Sequence, residues 1–337
     1  IASSAPIFLN EARVFELLEG QWMSLVDAMH KAFLATASKA VVQPPRAFTA
    51  IEDRGGLFSM PGYVHLKNSN EEAVLACKLV TSFAGNPRRE QPLPSILGTI
   101  FLFDDTTGKL TCILEGTEIT ARRTAAASIA ATNILYNKRH SKTYGDAIIV
   151  CILGAGIQGK SHAQALPSIS INKFLWVQIR IWNHRRPKAE RLVEELKTLG
   201  VHKGVVASRV QKCAEGADVL VTATSTHEPI LRSEWVKDGA HINAIGYGQT
   251  HHSELDFALY QRGKIYLDDE AGGRSVLQGL ADLGIPLIAT VGDLILKPHL
   301  MPNEQEVTVF QSIGMAAEDA LAAQLVYKRY LLTQFEN

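Results

Sequence analysis

Cysteine is scarce in this chain: four in 337 residues. Cys77, Cys112, Cys151 and Cys213 lie far apart, each in or beside apolar sequence. No C-x-x-C pair offers a metal site, and no dense spacing offers the disulfide framework of a small secreted domain. They read as reduced core thiols of a cytoplasmic protein that holds no metal. Net charge is lacking too, since Lys+Arg and Asp+Glu each total 34. A balanced chain exerts no bulk pull on nucleic acid or anionic membrane, so neither is expected as a partner. No apolar run approaches the roughly 20 residues that span a bilayer. The opening residues, IASSAPIFLNEARVFELL, have no basic n-region or apolar h-region, so no secretory signal is expected.

At 337 residues the chain exceeds one typical core, and two domains are expected. The stretch AIIVCILGAGIQGKSHAQAL, from Ala147 to Leu166, organises the second of them. An Ile- and Val-rich run meets three glycines at G-x-G-x-x-G spacing, Gly154, Gly156 and Gly159, and a helical segment follows. A buried strand, a tight glycine turn and a helix start are the recipe for a dinucleotide site, the alternative being an ordinary strand–helix turn. The first glycine permits the turn, the second lets backbone approach the pyrophosphate, and the third lets helix pack on strand. The helix start supplies N–H donors and positive potential. The next strand, LWVQIRIW, ends in Asn183-His184-Arg185-Arg186 rather than in an acid. A carboxylate there would repel a 2′-phosphate and arginines attract one, so NADPH is expected over NADH. Strands and helices then alternate, with Asp218–Thr224 and His241–Ile245 as strands and Ser253–Tyr260 as a helix. The pattern is a doubly wound α/β domain.

The first half is strand-rich after a helical region over residues 10–40. Pro44 and Pro45 hold the chain extended up to Arg46, which reads either as an ordinary surface arginine or as a stiffly presented guanidinium that forks onto a carboxylate. Residues 57–64 read as a short strand broken at Pro61-Gly62. Lys78 falls in the apolar run EAVLACKLVTSF. It marks either an edge strand or an ammonium turned into a pocket, where cations and desolvation would lower its pKa. Thr117–Asn137 is an alanine-rich helix with Arg122 and Arg123 in its first turns. Either Glu118 compensates them, or an anion binds between them and the helix end.

Together these segments resemble the ornithine cyclodeaminase/mu-crystallin family over nearly the whole chain. The resemblance rests on Gln43-Pro44-Pro45-Arg46, Cys77-Lys78-Leu79-Val80-Thr81 and Ile119-Thr120-Ala121-Arg122-Arg123-Thr124-Ala125-Ala126. It rests also on the glycine turn with Gln158, Arg180-Ile181-Trp182-Asn183, Glu228-Pro229-Ile230-Leu231, Gly239-Ala240-His241-Ile242-Asn243-Ala244 and Phe310-Gln311-Ser312-Ile313-Gly314-Met315. It implies a homodimer with a Rossmann-type doubly wound domain over 126–306. A β-rich α+β dimerisation and substrate domain is implied over 1–125 and 307–337. The implied catalytic positions are Lys78, Arg46 for a substrate carboxylate, and Arg123. The implied cofactor positions are Ser95, Arg123, Thr124, Gly154, Gly156, Ile157, Gln158, Asn183, His184, Arg185, Arg186, Thr224, Ser225 and Ser312. Two departures stand out. Gly248 occupies the position of the acid that cyclodeaminases use, which argues against ornithine cyclisation. His184 stands where the mu-crystallin branch often has arginine, which leaves Arg185 and Arg186 to secure NADPH over NADH. The implied activity is NADPH-dependent reduction of cyclic ketimine 2-carboxylates of the piperideine or pyrroline kind. The alternatives are an alanine-dehydrogenase-like or ornithine-cyclodeaminase-like enzyme, or a thyroid-hormone-binding or lens structural protein.

Overall fold

The computed structural model describes residues 5–65, 72–138, 147–166, 176–199, 204–246 and 252–335. Two compact units result, Ile1–Arg123 with Met315–Asn337, and Thr124–Gly314. The expected boundaries shift in consequence. Thr308–Gln311 is a strand of the second unit's sheet, so the chain rejoins the first unit at Met315 rather than at Val307.

In the first unit, β1 (Ile7–Leu9), β2 (Val41–Val42), β3 (Ala47–Ile51), β4 (Gly55–Val64), β5 (Val74–Ser82), β6 (Ile96–Phe103) and β7 (Leu110–Glu115) form one sheet. The order is β1-β7-β6-β5-β4-β2, with β3 also on β4. β1 runs parallel to β7 and the other pairs are antiparallel, so the sheet is mixed. Period-two alternation puts Val74, Ala76 and Lys78 of β5 on the buried face. The early helical region is two helices, α1 (Glu11–Leu18) and α2 (Trp22–Ala37), separated at Gly20, whose φ of +68° favours glycine. The C-terminal helix Ala316–Phe335 packs on β4, β5, β6 and α2.

β4 is not broken at Pro61-Gly62: it pairs with β5 without interruption, Pro61 opposite Cys77 and Gly62 opposite Ala76. On its other flank, β2 reaches Val64 and Tyr63 and β3 reaches Ser59 to Gly55. Pro61, which lacks an N–H, thus sits in the gap between those two partners. Gly62 is there for contact, since a Cβ on it would stand 2.9 Å from the Cβ of Ala316. Small residues on both sides bring the C-terminal helix close to the sheet.

The second unit is a parallel sheet of eight strands, flanked by helices. They are β8 (Ala147–Leu153), β9 (Trp176–Trp182), β10 (Gly204–Val206), β11 (Val219–Thr222), β12 (His241–Ala244), β13 (Lys264–Leu267), β14 (Leu287–Thr290) and β15 (Thr308–Gln311). The order is β10-β9-β8-β11-β12-β15-β13-β14. The first five follow a Rossmann winding, with the reversal of strand order between β8 and β11. The alanine-rich helix α3 (Thr117–Thr132) contains the boundary between the units, and a π-helical turn, Asn133–Asn137, ends it. The helix expected at Ser253–Tyr260 begins only at Phe257, capped by the Asp256 side chain on Leu259 N–H. Leu255 instead bridges Leu231, which keeps residues 253–256 extended. No helix among the described residues is long and apolar enough to cross a membrane.

Candidate active site

Two clusters carry chemistry, and each belongs to one unit. In the first unit, β5 lies between β4 and β6, so Lys78 is not on an edge strand. Its side chain is only 3% exposed, and its ammonium sits 2.5 Å from Asp319 Oδ2. Asp319 Oδ1 accepts from Arg123 Nε at 2.9 Å, and Arg123 Nη1 donates to Glu318 Oε2 at 2.7 Å. Two cations and two carboxylates therefore close one buried network. Both acids open the C-terminal helix, where the helix dipole favours negative charge. Gln43, from the proline segment, helps cap that helix by accepting from Ala317 N–H at 3.1 Å. Burial pulls the Lys78 ammonium down to about 8, Arg123 adds to that, and Asp319 opposes it. The two acids escaped the sequence reading. Their one signal was a pair of carboxylates in the first turn of an alanine-rich helix.

Arg46 stands just before β3. Ala47 pairs with Ser59, and Met60 pairs with Lys78. Arg46 is thus one residue beyond the ladder, on the row that runs through Met60 to Lys78. Two strand spacings separate them, roughly 10 Å. Ser95 precedes β6, and its carbonyl accepts from Phe83 N–H at 2.7 Å. Arg122 and Arg123 divide the roles the sequence left open. Arg122 pairs with Glu118 and donates to Leu18 O, with its guanidinium over the Phe15 and Trp22 rings. The anion at the start of α3 is the chain's own, because Glu118 N–H donates to Glu11. Arg122 is a packing group, and Arg123 enters the buried network.

In the second unit, β8 runs into the glycine turn and helix α4 (Ile157–Ala165). Gly154 has φ +111°, and a Cβ on it would stand 2.4 Å from Ala223 O. A Cβ on Gly159 would stand 1.9 Å from Gly154 O. Nothing lies within 4 Å of the same position on Gly156, the N-cap of α4. Two glycines therefore close the turn on itself, and the middle one leaves room for a ligand. The Gln158 Oε1 atom is buried beside them without a hydrogen-bond partner, and Ile157 is exposed. These features fit a dinucleotide pyrophosphate. Asn183, at the end of β9, ties to the turn by accepting from Ala155 N–H at 3.1 Å. His184, Arg185 and Arg186 are exposed. Arg185 Nε donates to His184 Nε2 at 3.1 Å, while Arg186, opening helix α5 (Arg186–Thr198), is held by Glu190 at 2.7 Å.

Further along the carboxyl edge of the sheet, Thr224 follows β11 and is held by Glu254. Ser225 beside it is exposed. Ser312 follows β15, is buried, and donates its N–H to Ala244 O at 3.1 Å. The loop after it is anchored by the buried Asp268, whose Oδ2 accepts from Ile313 and Gly314 N–H at 2.8 and 2.6 Å. Thr124, in α3, is buried. Glu254 and Asp268 were not legible as site residues, since nothing in their sequence neighbourhood marks them. Gly248, at the position of the cyclodeaminase acid, lies outside the described residues.

Comparison with known proteins agrees with this architecture. The model of the ornithine cyclodeaminase/mu-crystallin family matches residues 6–334. The ketimine reductase mu-crystallin of Mus musculus is 37% identical over 330 residues, covering 96% of this chain and 97% of its own. An archaeal alanine dehydrogenase dimer solved with bound NAD superposes with a TM-score of 0.83 at 26% identity, covering 98% of this chain and 97% of its own. The Thermococcus litoralis Delta(1)-pyrroline-2-carboxylate reductase, solved with NADH and L-proline, gives 0.81 at 25% identity, over 97% and 98% of the two chains. The chain therefore belongs to the ornithine cyclodeaminase/mu-crystallin family, as an NAD(P)-dependent oxidoreductase.

Proposed function

We propose that this protein reduces cyclic ketimine 2-carboxylates, of the piperideine- or pyrroline-2-carboxylate kind, with NADPH. The observation that carries this reading is the buried ion network around Lys78, in which burial pulls the ammonium down to about 8. A proton donor for an imine nitrogen works best with a pKa near the working pH. When bound, reduced nicotinamide supplies a hydride. Arg46 holds the substrate carboxylate, which sets the position of the C=N carbon. Lys78 gives a proton to the ring nitrogen, and the C=N π electrons settle there as the hydride reaches carbon. The product is a saturated cyclic amino acid, and Lys78 regains its proton from water. Arg123 is occupied by Glu318 and Asp319, so it acts on Lys78 rather than as the main carboxylate holder. The mouse relative is named a ketimine reductase, and the Thermococcus litoralis enzyme was solved with the saturated five-membered ring acid L-proline. Both support the substrate class.

NADPH is favoured by the basic, acid-free end of β9. A homodimer is supported by the apolar exposure of β3, where Phe48 is 52% exposed. Purified protein should consume NADPH with piperideine-2-carboxylate in the absence of ammonia. No turnover from mildly acidic to neutral pH would sink the proposal. Similarity to an alanine dehydrogenase favours a second reading, reduction of a 2-oxo acid with ammonia. Turnover of pyruvate only when ammonia is added, with none on the cyclic imine, would select it.

A further inference from the structure

Glu254 takes no part in the proton and hydride steps, yet it is one of the best-buried acids in the second unit, 1% exposed. Its Oε1 accepts from Thr224 N–H at 2.7 Å and from the Thr224 hydroxyl at 2.6 Å. Its Oε2 accepts from Gly246 N–H at 2.8 Å. These contacts join the segments that leave β11 and β12, at the carboxyl edge of the sheet, where open α/β sheets bind ligands. The fit is tight: a Cβ on Gly246 would stand 2.2 Å from the Glu254 carboxyl carbon. The Thr224 segment also abuts the dinucleotide turn, since a Cβ on Gly154 would stand 3.2 Å from Thr224 Cγ2.

The sheet itself does not need this carboxylate. Thr222 already pairs with Ala244, and Thr222 O accepts from both Ile245 and Gly246 N–H. Burying an acid is costly, and burial pushes Glu254 up while the Thr222 hydroxyl and the Thr224 and Gly246 donors hold it down. What it achieves is a direction. A hydroxyl has one proton and two lone pairs, and an ionised carboxylate can only accept. Glu254 therefore draws the Thr224 proton inward, and the hydroxyl cannot turn round. Toward any other group Thr224 Oγ1 offers lone pairs, as the approach of Thr226 N–H at 3.4 Å illustrates.

We infer that Glu254 is a positioning residue that commits Thr224 to accepting, so that this edge selects a ligand group that donates N–H, the primary carboxamide of nicotinamide. The inference rests on the nicotinamide-dependent activity proposed above. The test is a pair of binding titrations, followed by tryptophan fluorescence, with NADPH and with its 3-acetylpyridine analogue, whose methyl ketone lacks the amide donor. The wild-type protein should bind NADPH about fivefold more tightly than the analogue, the worth of one hydrogen bond. Glu254→Leu should bring that preference close to unity, because no acceptor then holds the hydroxyl inward. Thr224→Val should do the same while leaving the carboxylate its backbone contacts, and it serves if the Leu variant does not fold. Equal binding of the two ligands by the wild type, or full preference in both variants, overturns the inference. Failure of the wild type to bind NADPH or NADH at all would instead remove the nicotinamide reading, and this inference with it.

Discussion

The first unit builds its candidate site from charge, and the second builds its own from backbone. Lys78, Arg123, Glu318 and Asp319 meet from a central strand, a helix and the chain's last helix. The glycine turn is one short run of chain whose shape comes from missing side chains. The contrast teaches how each should fail. A charge cluster tolerates small changes of shape and is hurt by loss of a partner, because a buried ion left alone is costly. A backbone cradle carries no charge to lose and is hurt by a single added methyl group.

The largest expected effect is in the cluster. Lys78→Ala should lower kcat/KM by about 10³-fold, in the range of lost acid–base catalysis, while NADPH still binds. Steady-state kinetics beside a fluorescence titration checks both parts. Arg46→Ala should raise KM more than it lowers kcat if its role is to hold the carboxylate.

The turn should divide by position. Gly159→Ala drives a methyl group into Gly154 O and should cost about 2–4 kcal/mol of stability, measured by denaturant unfolding. Gly156→Ala meets nothing in the protein, so stability should hold while the dissociation constant for NADPH rises about tenfold or more. If both glycines behaved alike, the distinction between closing the turn and admitting the ligand would be wrong.

The smallest effect belongs to the exposed end of β9. Arg185→Ala should reduce the preference for NADPH over NADH by about fivefold, as befits a solvent-screened contact. Arg186→Ala should change it less, because Glu190 already holds that side chain. Comparing kcat/KM for the two cofactors ranks them.

The same contrast explains what the sequence could reveal. The turn was legible because its parts are contiguous and each glycine has a local reason. The parallel sheet was legible from the alternation of strands and helices. The cluster was legible only in part: Lys78 and Arg123 stood out as cations in apolar or alanine-rich settings, but their partners lie far off in the chain. Only packing of the last helix on β5 brings Asp319 to Lys78. Glu254 was hidden for a related reason, since a helix was expected where Leu255 bridges Leu231. Pro61-Gly62 read as a break because local propensity cannot see that a helix approaches Gly62 from above the sheet.

Protonation offers the sharpest handle on the cluster. The folded protein releases the Lys78 proton near pH 8, below the ordinary 10.5. The unfolded chain binds it more tightly, so this group should add stability as pH rises from about 8 to 10.5. Activity should move the other way if the ammonium is the proton donor, as proposed. The most direct measurement is therefore kcat against pH for piperideine-2-carboxylate reduction, in the wild type and in Asp319→Asn. The wild-type kcat should hold a plateau below about pH 8 and fall tenfold per pH unit above it. Because Asp319 raises the Lys78 pKa, its loss should move that limb to lower pH. A wild-type profile with no alkaline limb, or a limb that Asp319→Asn leaves in place, would contradict Lys78 as the proton donor.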